Sequence, residues 1–356
     1  MNTKKNLFAA LFVLLSVSMW AQDIHFSQFY MSPLNTNPAL TGVMNCNTRL
    51  IGNYRNQWAG VLGGDAYNTY SVSYDQKVAV GRTDYFGIGG SLWSDVAGQL
   101  SFGTTQGRLS FAYSKKMGGY RDRSSYLSIG ADAAVSQRRI KQSADQIWPN
   151  EHDGSGGVDP NVGDPGIIGD YDFIYADLAL GLLWFSILDK DNNFYAGVAL
   201  HHINQPDVTF TTDGSTVEPL YSRITGHAGG QFKIQRGMYL VPGAVFMKQG
   251  SQVELNLGTS VRFGLGNQRV ITQSWEAGVW YRLGNRYVDE NSVTFFHSDA
   301  LIFSTRFDYD QFGLGFSYDY NVSKLAQGAA GNGSFEFSIN YYICGPEKRA
   351  VYCPRF

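Results

Sequence analysis

Two adjacent histidines, His201 and His202, are by type the residues of this chain most suited to hold a metal ion. On a strand, neighbouring side chains point to opposite faces, so the pair cannot jointly chelate one ion without a bulge. Asp189-Lys190-Asp191-Asn192-Asn193 opens like a calcium loop. It carries Phe194 where the sixth-position glycine belongs and Leu200 where the closing glutamate belongs, so it reads as a turn. A second acidic stretch holds Asp145, Asp153, Asp159, Asp164, Asp170 and Asp172 among many glycines. Oxygen ligands at that density suit calcium, placed in the 150–172 region, although solvated turn residues explain the same composition.

Motifs for covalent chemistry are missing. The chain has no G-x-S-x-G elbow, no zinc-protease helix and no phosphate-binding glycine loop. Gly87-Ile88-Gly89-Gly90 falls inside a strand pattern and breaks the dinucleotide spacing, so its glycines read as small or bulge positions. Three cysteines, Cys46, Cys344 and Cys353, permit at most one internal disulfide. Cys344–Cys353 is favoured, because Gly345 and Pro346 let the tail turn back. Cys46–Cys344 and Cys46–Cys353 are the alternatives.

The elements that position these residues are strands. In 252–263, Val253, Leu255, Leu257, Thr259, Val261 and Phe263 alternate with Glu254, Asn256, Gly258, Ser260 and Arg262. That gives one apolar and one polar face. The pattern recurs over 47–57, 66–78, 84–95, 104–115, 124–138, 172–186, 193–203, 222–234, 238–248, 252–263, 273–283, 293–307, 311–321 and 333–343. About fourteen strands, an even number, predict a closed antiparallel transmembrane β-barrel, an all-β fold with lipid on one face and lumen on the other. Trp184 and Tyr341 fall near strand ends, where aromatic girdles belong. By parity Asp132, Asp177, Glu254, Arg262, Glu276, Arg282 and Glu336 project inward, to pair across the interior or to line a channel.

Compartment follows from the first residues. Lys4 and Lys5, the apolar run Leu7 to Val17 and the small residue Ala21 form an export signal over 1–21, with Met19 an imperfect −3 residue. No long apolar run follows, so a membrane crossing requires a closed barrel. Charged residues are 16%, aromatics 15% and glycines 41, with mean hydropathy −0.21. A net charge of −2 leaves no nucleic-acid footprint. The organisation is then signal peptide 1–21, pre-barrel segment 22–46, barrel 47–344 and a C-terminal periplasmic tail, 345–356. Connections after odd strands include the long stretches 139–171 and 204–221, as expected of outer loops. Those after even strands, such as 188–192 and 235–237, are short inner turns, with 264–272 the exception. Phe26, Phe29 and Tyr30 make the pre-barrel segment too aromatic for a free tail, so it should pack in the lumen or on the inner rim.

Three blocks carry a family resemblance: Ile24-His25-Phe26-Ser27-Gln28-Phe29-Tyr30-Met31-Ser32-Pro33-Leu34, then Asn37-Pro38-Ala39-Leu40-Thr41-Gly42, then Tyr54-Arg55-Asn56-Gln57-Trp58. With the terminal Cys353-Pro354-Arg355-Phe356, they resemble the PorP/SprF family in order and spacing. The resemblance implies a non-enzymatic outer-membrane barrel of the Bacteroidetes type IX secretion system and its gliding motility machinery. It implies as partners the outer-membrane lipid, periplasmic ring components and an exported surface protein with a C-terminal sorting domain, which the barrel helps to secrete or anchor. It marks Phe26, Gln28, Asn37, Pro38, Tyr54, Arg55, Gln57 and Trp58 as characteristic positions. A diffusion channel or solute-specific porin shares fold and compartment and is the first rival. An outer-membrane hydrolase using His201 or His297 is the second.

Overall fold

The computed structural model describes residues 23–98, 101–119, 123–140, 171–210, 217–265, 273–289, 292–323 and 332–345. Fourteen strands form one closed sheet: β1 Thr48–Gln57, β2 Tyr67–Val80, β3 Asp84–Ala97, β4 Phe102–Gly118, β5 Ser124–Ile140, β6 Tyr171–Ile187 and β7 Asn193–His201. The second half comprises β8 Arg223–Gln235, β9 Met238–Gln249, β10 Gln252–Leu265, β11 Gln273–Asp289, β12 Ser292–Tyr309, β13 Phe312–Asn321 and β14 Asn332–Ile343. Each strand pairs antiparallel with its chain neighbours, and β1 pairs with β14 from Thr48↔Ile343 to Gln57↔Ser334. Closure leaves no edge strand, so the backbone is satisfied within lipid.

The wall is inside-out relative to a soluble protein. Leu92, Leu109, Phe111, Ile129, Val135, Ile174, Leu180 and Leu314 are exposed on the outside, whereas Ser110, Asp132, Ser136, Asp177, Ser260 and Arg262 are buried inside. On β10, Leu257 faces out while Asn256, Ser260 and Arg262 face in, the parity that the sequence predicts. Trp184 is exposed and packs edge-on against Phe194 at 5.0 Å, and Phe312 meets Tyr341 at 4.5 Å, as girdle aromatics do.

Two sequence expectations are corrected here. The disulfide joins Cys46 to Cys344 rather than Cys344 to Cys353. Pairing of Thr48 with Ile343 carries the two flanking cysteines to the same point on the rim, 4.4 Å apart at Cα. Cys353 lies outside the described residues. Strand β7 ends at His201, not 203, because His202 takes a left-handed φ of 55° and turns the chain out of the sheet. Both histidines are therefore buried inside the barrel instead of facing opposite sides. The export signal, the 150–170 part of the proposed calcium region and the terminal Cys-Pro-Arg-Phe also lie outside the described residues.

Candidate functional site

Inside this polar tube lies the pre-barrel segment. Its backbone is folded by local chemistry into three tight turns, Phe29–Met31, Pro33–Thr36 and Pro38–Leu40. Pro33 and Pro38 open the second and third, where a fixed φ and a missing N–H cost nothing. The Asn37 side chain caps the third by accepting from the Ala39 N–H at 2.8 Å. Phe26, Phe29, Met31, Leu34, Ala39, Leu40, Val43 and Met44 are all buried.

Apolar contacts anchor it at two heights. Phe29 packs edge-on and Tyr30 stacks against Trp280, each at 5.5 Å, beside Val245, Ala300 and Ile302. Ala39, Leu40 and Val43 pack with Tyr85, Tyr126, Leu183, Phe185 and Tyr195. The wall yields space where the segment comes closest. A Cβ on Gly130 would stand 2.4 Å from the Ala39 nitrogen, and one on Gly181 only 1.9 Å from Asn37 Oδ1. Glycine is the one residue that fits at either position.

Polar anchors are more numerous. The Ser27 and Gln28 N–H groups donate to the two oxygens of Glu336 at 2.6 and 2.9 Å, while Arg55 pairs with Glu336 from the other side. Asp319 accepts from Ser27 Oγ at 2.7 Å and from Arg282 Nη1 at 2.8 Å, and Arg282 Nε reaches Asp299 at 2.6 Å. Asn37 Nδ2 donates to the Leu182 and Val198 carbonyls at 3.1 and 3.2 Å. Arg108 donates to the Leu34 carbonyl at 2.9 Å. Near the disulfide rim, Asp75 accepts from the Gly42 N–H at 2.8 Å and from Arg49 Nη2 at 2.7 Å. The inward charges of the sequence reading thus pair with one another and with the segment. Arg262 holds Glu276 at 2.7 Å and Arg108 faces Asp132 at 3.5 Å.

At the opposite mouth the segment begins on Asp23, whose carboxylate pairs with His202 Nε2 and with Arg223 Nη1 at 3.1 Å. His202 Nδ1 faces Asp177 at 2.9 Å. Burial opposes charge on His202, but Asp23 and Asp177 outweigh it and push the imidazole up to about 9. Burial likewise opposes charge on Asp23, yet His202 and Arg223 hold the carboxyl far below the usual range. Outside this cluster the described parts of the next connection, 202–210 and 217–222, meet through an antiparallel bridge between Asp207 and Pro219. Val208 and Leu220 bury against Tyr175, and Phe210 packs on Phe102 and Phe173 at 6.0 and 5.0 Å. Among the described residues no group of three His, Cys, Asp or Glu side chains is arranged to hold a metal.

Of the family-like positions, the structure gathers Gln28 and Arg55 on Glu336, and places Phe26, Asn37 and Pro38 inside the barrel. Gln57 accepts from Arg55 at 3.3 Å. Tyr54 stands apart on the outer face, tilted on Tyr70 at 5.0 Å, and Trp58 opens the mouth-side turn Ala59–Leu62. Asp23, Arg49, Asp75, Arg108, Arg223 and Asp319 are anchors that sequence reasoning missed. Their signal is inward parity on β1, β2, β4, β8 and β13 for all but Asp23.

A closed barrel with an apolar exterior and a polar lumen filled by its own chain is an outer-membrane β-barrel. Within that class the chain belongs to the family described as type IX secretion system membrane protein PorP/SprF, whose model matches residues 18–341. No curated protein matches the chain. Among solved structures it is similar to the TodX monoaromatic hydrocarbon channel deltaS2 mutant, at 12% identity and TM-score 0.47, covering 87% of this chain and 92% of that one. It is also similar to a Pseudomonas aeruginosa FadL homologue, at 10% identity and TM-score 0.46, covering 86% of this chain and 92% of that one.

Proposed function

We propose that this barrel is a non-catalytic component that helps to secrete or anchor an exported surface protein, working through its mouth-side loops rather than through an open lumen. The observation that carries the reading is the occupied interior: residues 23–44 run the depth of the barrel and are fixed to its wall by the Asp23–Arg223 pair and by N–H bonds from Ser27 and Gln28 to Glu336 and from Gly42 to Asp75. A solute channel needs a continuous water path, and residues 23–44 occupy the space such a path would use. The mouth opposite the Cys46–Cys344 rim carries the longest connections, 141–170 and 202–222, and long connections of this kind belong on the outer side. Loops that long are usually functional. The proposed partners are periplasmic ring components at the short-turn rim and an exported protein with a C-terminal sorting domain at the mouth. Phe173 and Tyr175 are engaged by the protein's own Phe210, Val208 and Leu220, so they do not serve as free anchors; Tyr221 is exposed.

Deleting residues 150–166 should leave assembly of the barrel intact while reducing display of one surface protein, read from the proteome shaved off intact cells. If deletion of the whole gene instead leaves surface proteins and gliding unchanged and impairs uptake of a solute, the channel reading replaces this one.

A further inference from the structure

One corner of the short-turn rim is strongly and asymmetrically charged. The β2–β3 turn carries Arg82, the end of β4 carries Lys115, and the approach to β5 carries Arg123, all exposed. These sites lie on neighbouring strands: Tyr85 pairs with Ser114, and Lys116 with Tyr126. Adjacent strands are spaced about 4.8 Å apart, and Arg123 lies four residues along the chain from Leu127, the partner of Lys115, so the three cations spread along one edge of the rim within reach of long side chains. Among the described residues of this corner the one acid is Asp84. Its carboxylate accepts from Tyr113 Oη at 2.8 Å and from the Lys116 N–H at 3.0 Å and also attracts Lys115, which leaves the corner a net positive charge. The β6–β9 corner of the same rim differs, because Lys233 is paired with Asp191 at 2.7 Å.

The basic corner is continuous with the lipid-facing wall and not with the lumen. Lys115 shares the outward parity of Tyr113 and Met117, opposite the buried Ala112 and Ser114. Val78, Phe86 and Met117 stand exposed beside it, and Phe86 packs on Tyr113 at 5.0 Å. Cations at the border of an apolar belt, above aromatic girdle residues, match the phosphate of a membrane lipid whose acyl chain lies along the wall.

We propose that Arg82, Lys115 and Arg123 form a binding site for the phosphate headgroup of an anionic phospholipid, with its acyl chain against Phe86 and Met117. An acidic protein would need the cations turned away from the belt; the outward parity of Lys115 favours the lipid.

The test is native mass spectrometry of the full chain in detergent, offered phosphatidylglycerol or phosphatidylcholine. The expected result is about a hundredfold stronger retention of phosphatidylglycerol, from roughly fivefold per basic group near an anionic surface. The Arg82→Gln/Lys115→Gln/Arg123→Gln variant should lose that preference, while Lys190→Gln/Arg236→Gln on the other corner keeps it. Each variant is checked for a folded barrel by its heat-dependent gel mobility. Should the triple variant misfold, single Lys115→Gln, expected to lose about fivefold, replaces it. Unchanged preference in the folded variant overturns the site. So does retention of a polyglutamate peptide, sensitive to the same substitutions, with no lipid preference.

Discussion

Replacing Glu336 by Ala tests whether the segment inside the barrel is held by directed polar contacts or merely trapped. In the native protein this carboxylate accepts the Ser27 and Gln28 N–H groups and pairs with Arg55, all in a buried setting. Removing it strands two backbone donors and leaves the Arg55 guanidinium with Asp319, at 3.4 Å, as its remaining carboxylate. Arg55 and Glu336 both belong to the wall, so the loss that bears on the segment is that of its two N–H bonds to a carboxylate, about 1.5–3 kcal/mol each. At about 1.4 kcal/mol per power of ten, the population in which residues 23–31 leave the wall should rise by roughly two to four powers of ten. The wall itself should persist, because the β13–β14 and β1–β14 ladders are backbone contacts. Hydrogen–deuterium exchange in detergent reads both parts. Peptides covering 23–31 should exchange faster by that factor, while β5 peptides keep their protection. Removing both charges, as Glu336→Gln with Arg55→Met, should cost less than Glu336→Ala alone, since the buried Arg55 charge goes together with its nearest carboxylate. Unchanged exchange at 23–31 in Glu336→Ala would refute the assignment of Glu336 as an anchor, as would equal acceleration everywhere.

A larger residue at the close-approach glycines should displace the segment. Gly181→Leu or Gly130→Val is expected to produce channel openings in planar bilayers where the native barrel is silent. Gly226→Ala, with no atom within 4 Å of the new Cβ, should change nothing. The mouth-side latch should respond to alkali. His202 is raised from 6.5 to about 9, so its contribution is complete below 6.5 and is lost as pH climbs through 9. That loss is about 3 kcal/mol, and protection of residues 23–26, corrected for intrinsic rates, should fall above pH 9 in the native protein but not in His202→Gln. Asp23 acts at the other end, its contribution present above 3.8 and lost only in strong acid. The Cys46–Cys344 bond closes a loop of 298 residues, so the denatured unreduced chain should migrate faster on a gel than the reduced one. Cys353→Ser should keep that difference and Cys344→Ser should abolish it.

The wall was legible in the sequence because lipid and lumen impose a period of two on every strand, and a two-residue alternation needs no long-range information. All fourteen runs, and the inward sense of Asp132, Asp177, Arg262, Glu276, Arg282 and Glu336, follow from that period. The aromatic pre-barrel segment also announced by composition that it must be covered. What composition could not supply is depth and partner. Glu336 meets Gln28 across 308 positions of chain, and Asp23 meets His202 across 179. Those meetings depend on barrel closure and on the strand registers that set each side chain's height. The cysteine pairing was decided in the same way, by which strand ends adjoin at the β1–β14 seam and not by chain separation. The two histidines came to lie inside together because one residue, His202, adopts a left-handed turn that side-chain periodicity does not encode. Sequence determined which face each wall residue shows, since that is a local property of an extended chain. Tertiary structure alone decided that residues 23–44 lie in the lumen, since that required one segment's turns, charges and apolar side chains to match many strands at once.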